Sequence, residues 1–298
     1  MHCDHVYSFS SANDLEATLR HFERAGFLRC DHRSHHPKGM LTGFVHLTGT
    51  YLEFITIEDE AAFLRDADAA EHWLRRHPRP YGIGLHTYNI EETHRHLQTV
   101  VPRTPPIVRR RRPEQPDGPV TWAFAEFPAA HVPGCELCAI EYLTRPRTPN
   151  TLIMGPNTIF AISGFVFCTD TPADRIAVWA RTLAAVLPQC EQKQHTLSFG
   201  FQQFRWITPQ EFEQWFDARW IPADSRYGEL CAVQVRAADL RTAAAALQDG
   251  GFAVRHRTAP PRLYVGPDPD TGYAFVVEPG APNVLLTVLN QNAVQVVR

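Results

Sequence analysis

The feature that most constrains this chain is that it repeats itself. Four times it runs through a strand, a helix and a further set of strands. An internal repeat of this kind makes each copy one supersecondary unit that must find its core with a neighbour. The first copy opens with the alternating strand "DHVYSFS". The segment "NDLEATLRHFERAGF" follows, with Leu15, Leu19 and Phe22 at helical spacing and Gly26 as a stop. "LRCDHR", "LTGFVHLT" and "YLEFITI" then read as strands. The second copy runs from "YGIGLHTYN" through the helix "IEETHRHLQTVV" to "PIVRRR", "VTWAFAEF" and "LCAIEYLT". The third runs from "IFAISGFVFCT" through "PADRIAVWARTLAAVL" to "TLSFG" and "FQQFRWIT". The fourth runs from "LCAVQVRA" through "DLRTAAAALQDGGF" to "AVRHRT", "RLYVGP" and "YAFVVEP".

Each copy is therefore a βαβββ unit, and the fold class is α+β. One unit cannot bury both faces of a short curved sheet. Two side by side make a half-barrel with a concave face and helices covering the outside. Four units give two such sheets. The proline- and threonine-rich "TRPRTPNT" marks the boundary, dividing the chain into residues 1–148 and 149–298. Two helical insertions interrupt the pattern, "EDEAAFLRDADAAEHWLRRHP" and "PQEFEQWFDARW". Inward residues alternate along every strand, so the concave face is where a ligand is expected.

Composition narrows the function. Net charge is −3, which gives no field for nucleic acid or an acidic membrane. The run "VRRRRPEQPDG" sits among prolines and reads as a solvated loop. No stretch nears the roughly 18 apolar residues of a membrane span, and the N-terminus lacks the pattern of a signal peptide. The seven cysteines are odd in number and scattered, which points to free thiols in a reducing, cytoplasmic setting. Cys135 and Cys138 form a CxxC, but no second ligand pair follows and the motif leads into a strand rather than a helix. No nucleophile elbow, P-loop or dinucleotide fingerprint is present. A small-molecule substrate and a monomer or homodimer are the expectation.

Tandem βαβββ units, with "DHVYSFS", "HHPKGMLTGFVHLTGTYLEFITI" and "PDGPVTWAFAEF" before "CAIEYLT", make the chain resemble the vicinal oxygen chelate superfamily. Within it, the chain is most similar to glyoxalase-like domains over about residues 1–145. The resemblance implies a metal held by His, Glu or Gln on the first and last strands of two paired units. The matching positions are His5, Glu53, His86 and Glu141. His86 is the weaker match, because the strict counterpart of His5 falls near Gly82. Glu53 and Glu141 would double as catalytic groups.

Such mixed N/O ligation suits Fe, Mn, Ni, Co or Zn with open positions for substrate oxygens. The metal would polarise the substrate while a glutamate acts as base. The implied function is a metal-dependent lyase or isomerase acting on a small oxygen-bearing substrate. Two alternatives stand beside it, an extradiol-type ring-cleaving dioxygenase and a metal-free binding protein of the antibiotic-sequestering kind. The second half lacks the two histidines of a four-unit dioxygenase. If units one and four pair, His5 and Glu53 would instead meet Gln234 and Glu278. Gln202 and Gln203 stand on the last strand of unit three. His46, Trp122 and Phe124 are candidate pocket walls, and His32, His35 and His36 lie in an expected loop.

Overall fold

A computed structural model describes residues 1–9, 15–36, 39–65, 80–112, 119–144, 151–187, 189–216, 229–268 and 271–286. Its described strands form two sheets. In the first, β1 (His2–Phe9) lies at the centre between β5 (Thr50–Ile57) and β6 (Pro80–His86). The strands β4 (Met40–Leu47) and β2 (Leu28–Arg29) continue beyond β5. On the other side follow β9 (Glu136–Tyr142), β8 (Val120–Phe127) and β7 (Val108–Arg112). The first strands of units one and two are thus neighbours, paired antiparallel, and each pairs parallel with the last strand of its own unit.

The second sheet repeats the plan. Its centre is β10 (Ile159–Cys168) beside β14 (Glu229–Ala237). β13 (Gln202–Ile207), β12 (Thr196–Phe199) and β11 (Glu191–Lys193) extend one way. β17 (Phe275–Pro279), β16 (Pro261–Val265) and β15 (Val254–Thr258) extend the other. Unit one therefore pairs with unit two and unit three with unit four. The alternative set of His5, Glu53, Gln234 and Glu278 is divided between two sheets and does not form.

The helices α1 (Leu15–Arg24), α3 (Ile90–Val100), α4 (Pro172–Val186) and α6 (Leu240–Asp249) place their apolar stripes in one continuous core. Phe22 of α1 shows how that core is shared. It packs 4.7 Å, centroid to centroid, from Phe54 of the first sheet and 6.3 Å from Phe275 of the second. Trp179 of α4 donates from Nε1 to the Pro133 carbonyl. The helices thus cover the convex side of each half-barrel, as expected, but they lie between the sheets and bury both at once. The two concave faces carry the alternate residues of each strand.

Two loops read from the sequence are strands in part. β3 (Ser34–His36) pairs with β4, and exposed His35 meets Glu58 at 3.1 Å. The arginine run supplies edge strand β7, where charge discourages pairing with another chain. Of the insertions, α2 (Glu60–Leu64) and α5 (Pro209–Trp215) are described. The boundary segment at 145–150 and the rest of the first insertion lie outside the described residues. Helix α5 begins with a capping box from Thr208 and Glu211. It lays Phe212, Trp215 and Phe216 with Val166, Ile207, Tyr264 and Val276, filling one end of the second concave face. No disulfide joins any of the seven cysteines among the described residues. Among the described residues no helix is long and apolar enough to cross a membrane.

Candidate active site

The site begins with a bulge. Along the β1–β6 ladder, Cys3 opposes Leu85 and His5 opposes Gly84, so Asp4 is the extra residue. A bulge turns two successive side chains toward one face. Asp4 and His5 consequently meet, with Asp4 Oδ2 2.9 Å from His5 Nδ1. The carboxylate accepts, so Nδ1 carries the proton and Nε2 is left facing the concavity. Nε2 lies 3.8 Å from the Glu53 carboxylate. Both side chains are largely buried, at 9% and 13% exposure. The carboxylate inside "TYLEFITI" therefore meets an imidazole that is itself oriented by a second carboxylate.

Glycines make room for this arrangement. A Cβ on Gly84 would collide with the His5 ring, and one on Gly82 with the Tyr7 ring. The positions on β6 that would carry a second ligand are instead the floor under rings from β1.

Phenols complete the lining. Tyr51 stacks on His5 at 5.1 Å, nearly parallel. Tyr142 donates to Asp4 Oδ2 at 3.0 Å, which leaves Tyr51 to donate to Tyr142 at 3.1 Å. Further along, Glu136 accepts from Tyr7 at 2.5 Å and from Tyr81 at 2.9 Å. Burial pushes the Tyr7, Tyr51 and Tyr142 phenols well above their ordinary pKa. Glu136 adds to this for Tyr7, and Asp4 and Glu53 add to it for the other two. All three stay protonated donors. Burial also holds the Cys135 and Cys138 thiols protonated.

His46 on β4 faces the same concavity beside Tyr51, and burial lowers its pKa. Trp122 and Phe124 stand opposite Tyr142 and Ile140 in the β8–β9 ladder and form part of the apolar wall. His86 lies beyond the bulge, paired with His2, and its ring is edge-on to Tyr88 at 4.6 Å.

Glu141 is not with these groups. It shares the face of Leu137 and Ala139, which are buried in the core. Its Oε2 accepts from Ile90 N at 2.8 Å, at the start of α3. This is a helix-terminus role, satisfying an N–H that has no partner within the helix. The expectation that Glu53 and Glu141 hold equivalent places failed because alternation was one residue out of step.

The bulge also sets the relation between the sheets. β10 has one at the same point, with Ile162 opposite Val235 and Gly164 opposite Gln234. Aligning Gly164 with His5 aligns Gln203 with Tyr51 and Arg205 with Glu53. On the partner strands, Gln234 aligns with Gly84 and Glu278 with Ile140. Glu278 and Glu141, each on the last strand of its sheet's second unit, are thus different positions.

The chemistry of the donor set can now be weighed. His5 Nε2 and Glu53 are two nitrogen and oxygen donors side by side. Among the described residues no group of three His, Cys, Asp or Glu side chains converges for a metal. The described residues therefore do not fit a centre held by three or four protein ligands.

The model of the glyoxalase-like domain family matches residues 3–183, from β1 through most of α4. The chain belongs to the glyoxalase-like domain family. The sequence matches no curated protein. Among solved structures it is similar to a hypothetical protein from Staphylococcus aureus, with a TM-score of 0.61 and 12% identity, over 93% of this chain and 99% of that one. It is also similar to a xylose isomerase-like TIM barrel/4-hydroxyphenylpyruvate dioxygenase fusion protein, with a TM-score of 0.57 and 11% identity. That match covers 99% of this chain and 52% of the fusion protein. At such identities the likeness is one of fold. That likeness of fold spans both sheets, beyond the stretch that the family model covers.

Sequence reasoning found His5 and Glu53 but missed Asp4, Tyr51, Tyr142 and Glu136. The adjacent "DH" was the available signal, since only a bulge lets consecutive residues share a face.

Proposed function

We propose that the first half-barrel is the active site of a lyase or isomerase that moves a proton on a small, uncharged, oxygen-bearing substrate. The observation that carries this reading is the contact between His5 Nε2 and Glu53, backed by Asp4. Asp4, Glu53 and Glu136 surround the concavity with negative charge, which disfavours an anionic substrate.

Glu53 takes a proton from a carbon beside a carbonyl. His5 Nε2, 3.8 Å away, takes that proton from Glu53 and delivers it to the carbonyl oxygen, leaving an enediol and the carboxylate restored. Asp4 fixes the tautomer and favours the imidazolium that forms. The half-buried aromatic walls exclude water and strengthen both charges. A metal-dependent version of this chemistry needs at least a third protein donor beside His5 and Glu53.

A second reading, a binding protein that sequesters its ligand without chemistry, is favoured by the aromatic lining of Phe44, Tyr51, Trp122 and Phe124. Thermal-shift measurements with small hydroxyketones and hydroxyaldehydes, with and without chelator, test the site. Stabilisation that ignores the chelator and is lost in Glu53→Gln supports the proposal. A stoichiometric metal retained by tag-free protein and released by Glu53→Gln contradicts it. Binding without turnover leaves the sequestering protein as the answer.

A further inference from the structure

The second concave face is not a degenerate copy of the first. Its open end, away from the α5 plug, holds a cavity of about 330 Å³. That volume is within the range of small-ligand sites. Ser163, Ser198, Gln203, Arg236, Arg262 and Glu278 are on its wall. None of the acidic machinery of the first site is reproduced there. Gly164 and Arg205 stand where His5 and Glu53 stand.

Two groups on that wall lack partners. Ser163 is the bulge residue of β10, turned to the concave face together with Gly164. It is 3% exposed, and its Oγ has no hydrogen-bond partner. Arg236 Nε is likewise buried without one. Buried polar groups are nearly always hydrogen-bonded, so two such donors on one cavity wall call for an explanation. Arg262 is occupied by Glu278 at 2.6 Å, and Gln203 donates to Gln234 at 2.9 Å. Arg236 makes no ion pair among the described residues. With Arg262 and Glu278 cancelling, it leaves the wall one positive charge in excess.

We propose that this cavity is a second binding site, independent of the first, for a small monocarboxylate held by the Arg236 guanidinium and the Ser163 hydroxyl. One excess positive charge matches one negative charge. The Glu278 carboxylate on the same wall repels a dianion such as phosphate. Guanidinium and hydroxyl donors suit a planar carboxylate, and such charge-assisted bonds are the strong ones.

Isothermal titration of the full chain with benzoate and pyruvate, against benzamide and inorganic phosphate, tests this. Saturable binding of a carboxylate is expected, with neither benzamide nor phosphate replacing it. Arg236→Gln should weaken binding at least about tenfold, and Glu53→Gln in the other sheet should leave it unchanged. Ser198→Asp, which adds a carboxylate to a half-buried wall position, should weaken it similarly and decides the matter if Arg236→Gln does not fold. The proposal is overturned by no saturable carboxylate binding, by equal binding of benzamide or phosphate, or by a loss in Glu53→Gln instead.

Discussion

Gly84 contributes to the site by having no side chain. In Gly84→Ala the new methyl would collide with the His5 ring, and overpacking of this kind costs about 1–3 kcal/mol. Urea unfolding should show a loss of that size, together with weaker ligand binding, because the ring can escape only by leaving Glu53. His46 gives a pH dependence. Burial lowers its folded-state pKa below the unfolded value near 6.5. The unfolded chain therefore binds a proton first as pH falls, and stability drops as pH is lowered through and below about 6.5. His46→Gln should flatten that part of a stability profile measured by thermal melts. At this scale the sequence was half legible. A charged residue in an apolar strand drew attention to Glu53, and the N-terminal strand to His5. The phenols and Asp4 stayed hidden because a tyrosine in a strand reads as ordinary packing, and a bulge leaves no composition signal.

For elements, the helix–strand contact at Glu141 is the informative case. Removing its carboxylate in Glu141→Ala takes the acceptor from Ile90 N at the start of α3. The expected cost is about 1 kcal/mol, as for other lost helix caps. Ligand binding in the first half-barrel should not change. Chemical denaturation and a ligand titration on the same variant separate the two outcomes. A collapse of binding with no loss of stability would restore Glu141 to the site. Most strands and helices were readable from periodicity, and the four-fold repeat gave the order of elements. What periodicity could not give was register. A strand shifted by one residue exchanges its faces, and "TYLEFITI" and "CAIEYLT" look alike only when their glutamates are superimposed rather than their core residues. Leu52 and Phe54 are core beside Glu53, whereas in β9 the core residues Leu137 and Ala139 share the face of Glu141.

Across the whole molecule, two half-barrels bury one helical layer and turn their concave faces apart, and among the described residues only the first concave face brings a histidine and a glutamate together. The phenols lining it report on its integrity. Tyr7, Tyr51 and Tyr142 have folded-state pKa values raised above the unfolded value near 10. The folded chain keeps those protons longer, so their contribution is complete below about pH 10 and is lost as pH rises above it. An alkaline ultraviolet titration should show these tyrosines ionising together with unfolding, not before it. The pairing of units was beyond the sequence, because all four open with a similar strand and nothing local says which two are neighbours. The central claim is that Glu53, next to His5, is the base of a proton-transfer site. Proton nuclear magnetic resonance in D₂O, following exchange of the carbon-bound hydrogens of small hydroxyketones and hydroxyaldehydes, tests it most directly. The wild-type chain should catalyse exchange at one carbon of a preferred compound, indifferent to chelator, and Glu53→Gln should slow it by about 10²-fold or more. Exchange that persists undiminished in Glu53→Gln, or that no compound undergoes, would contradict the account.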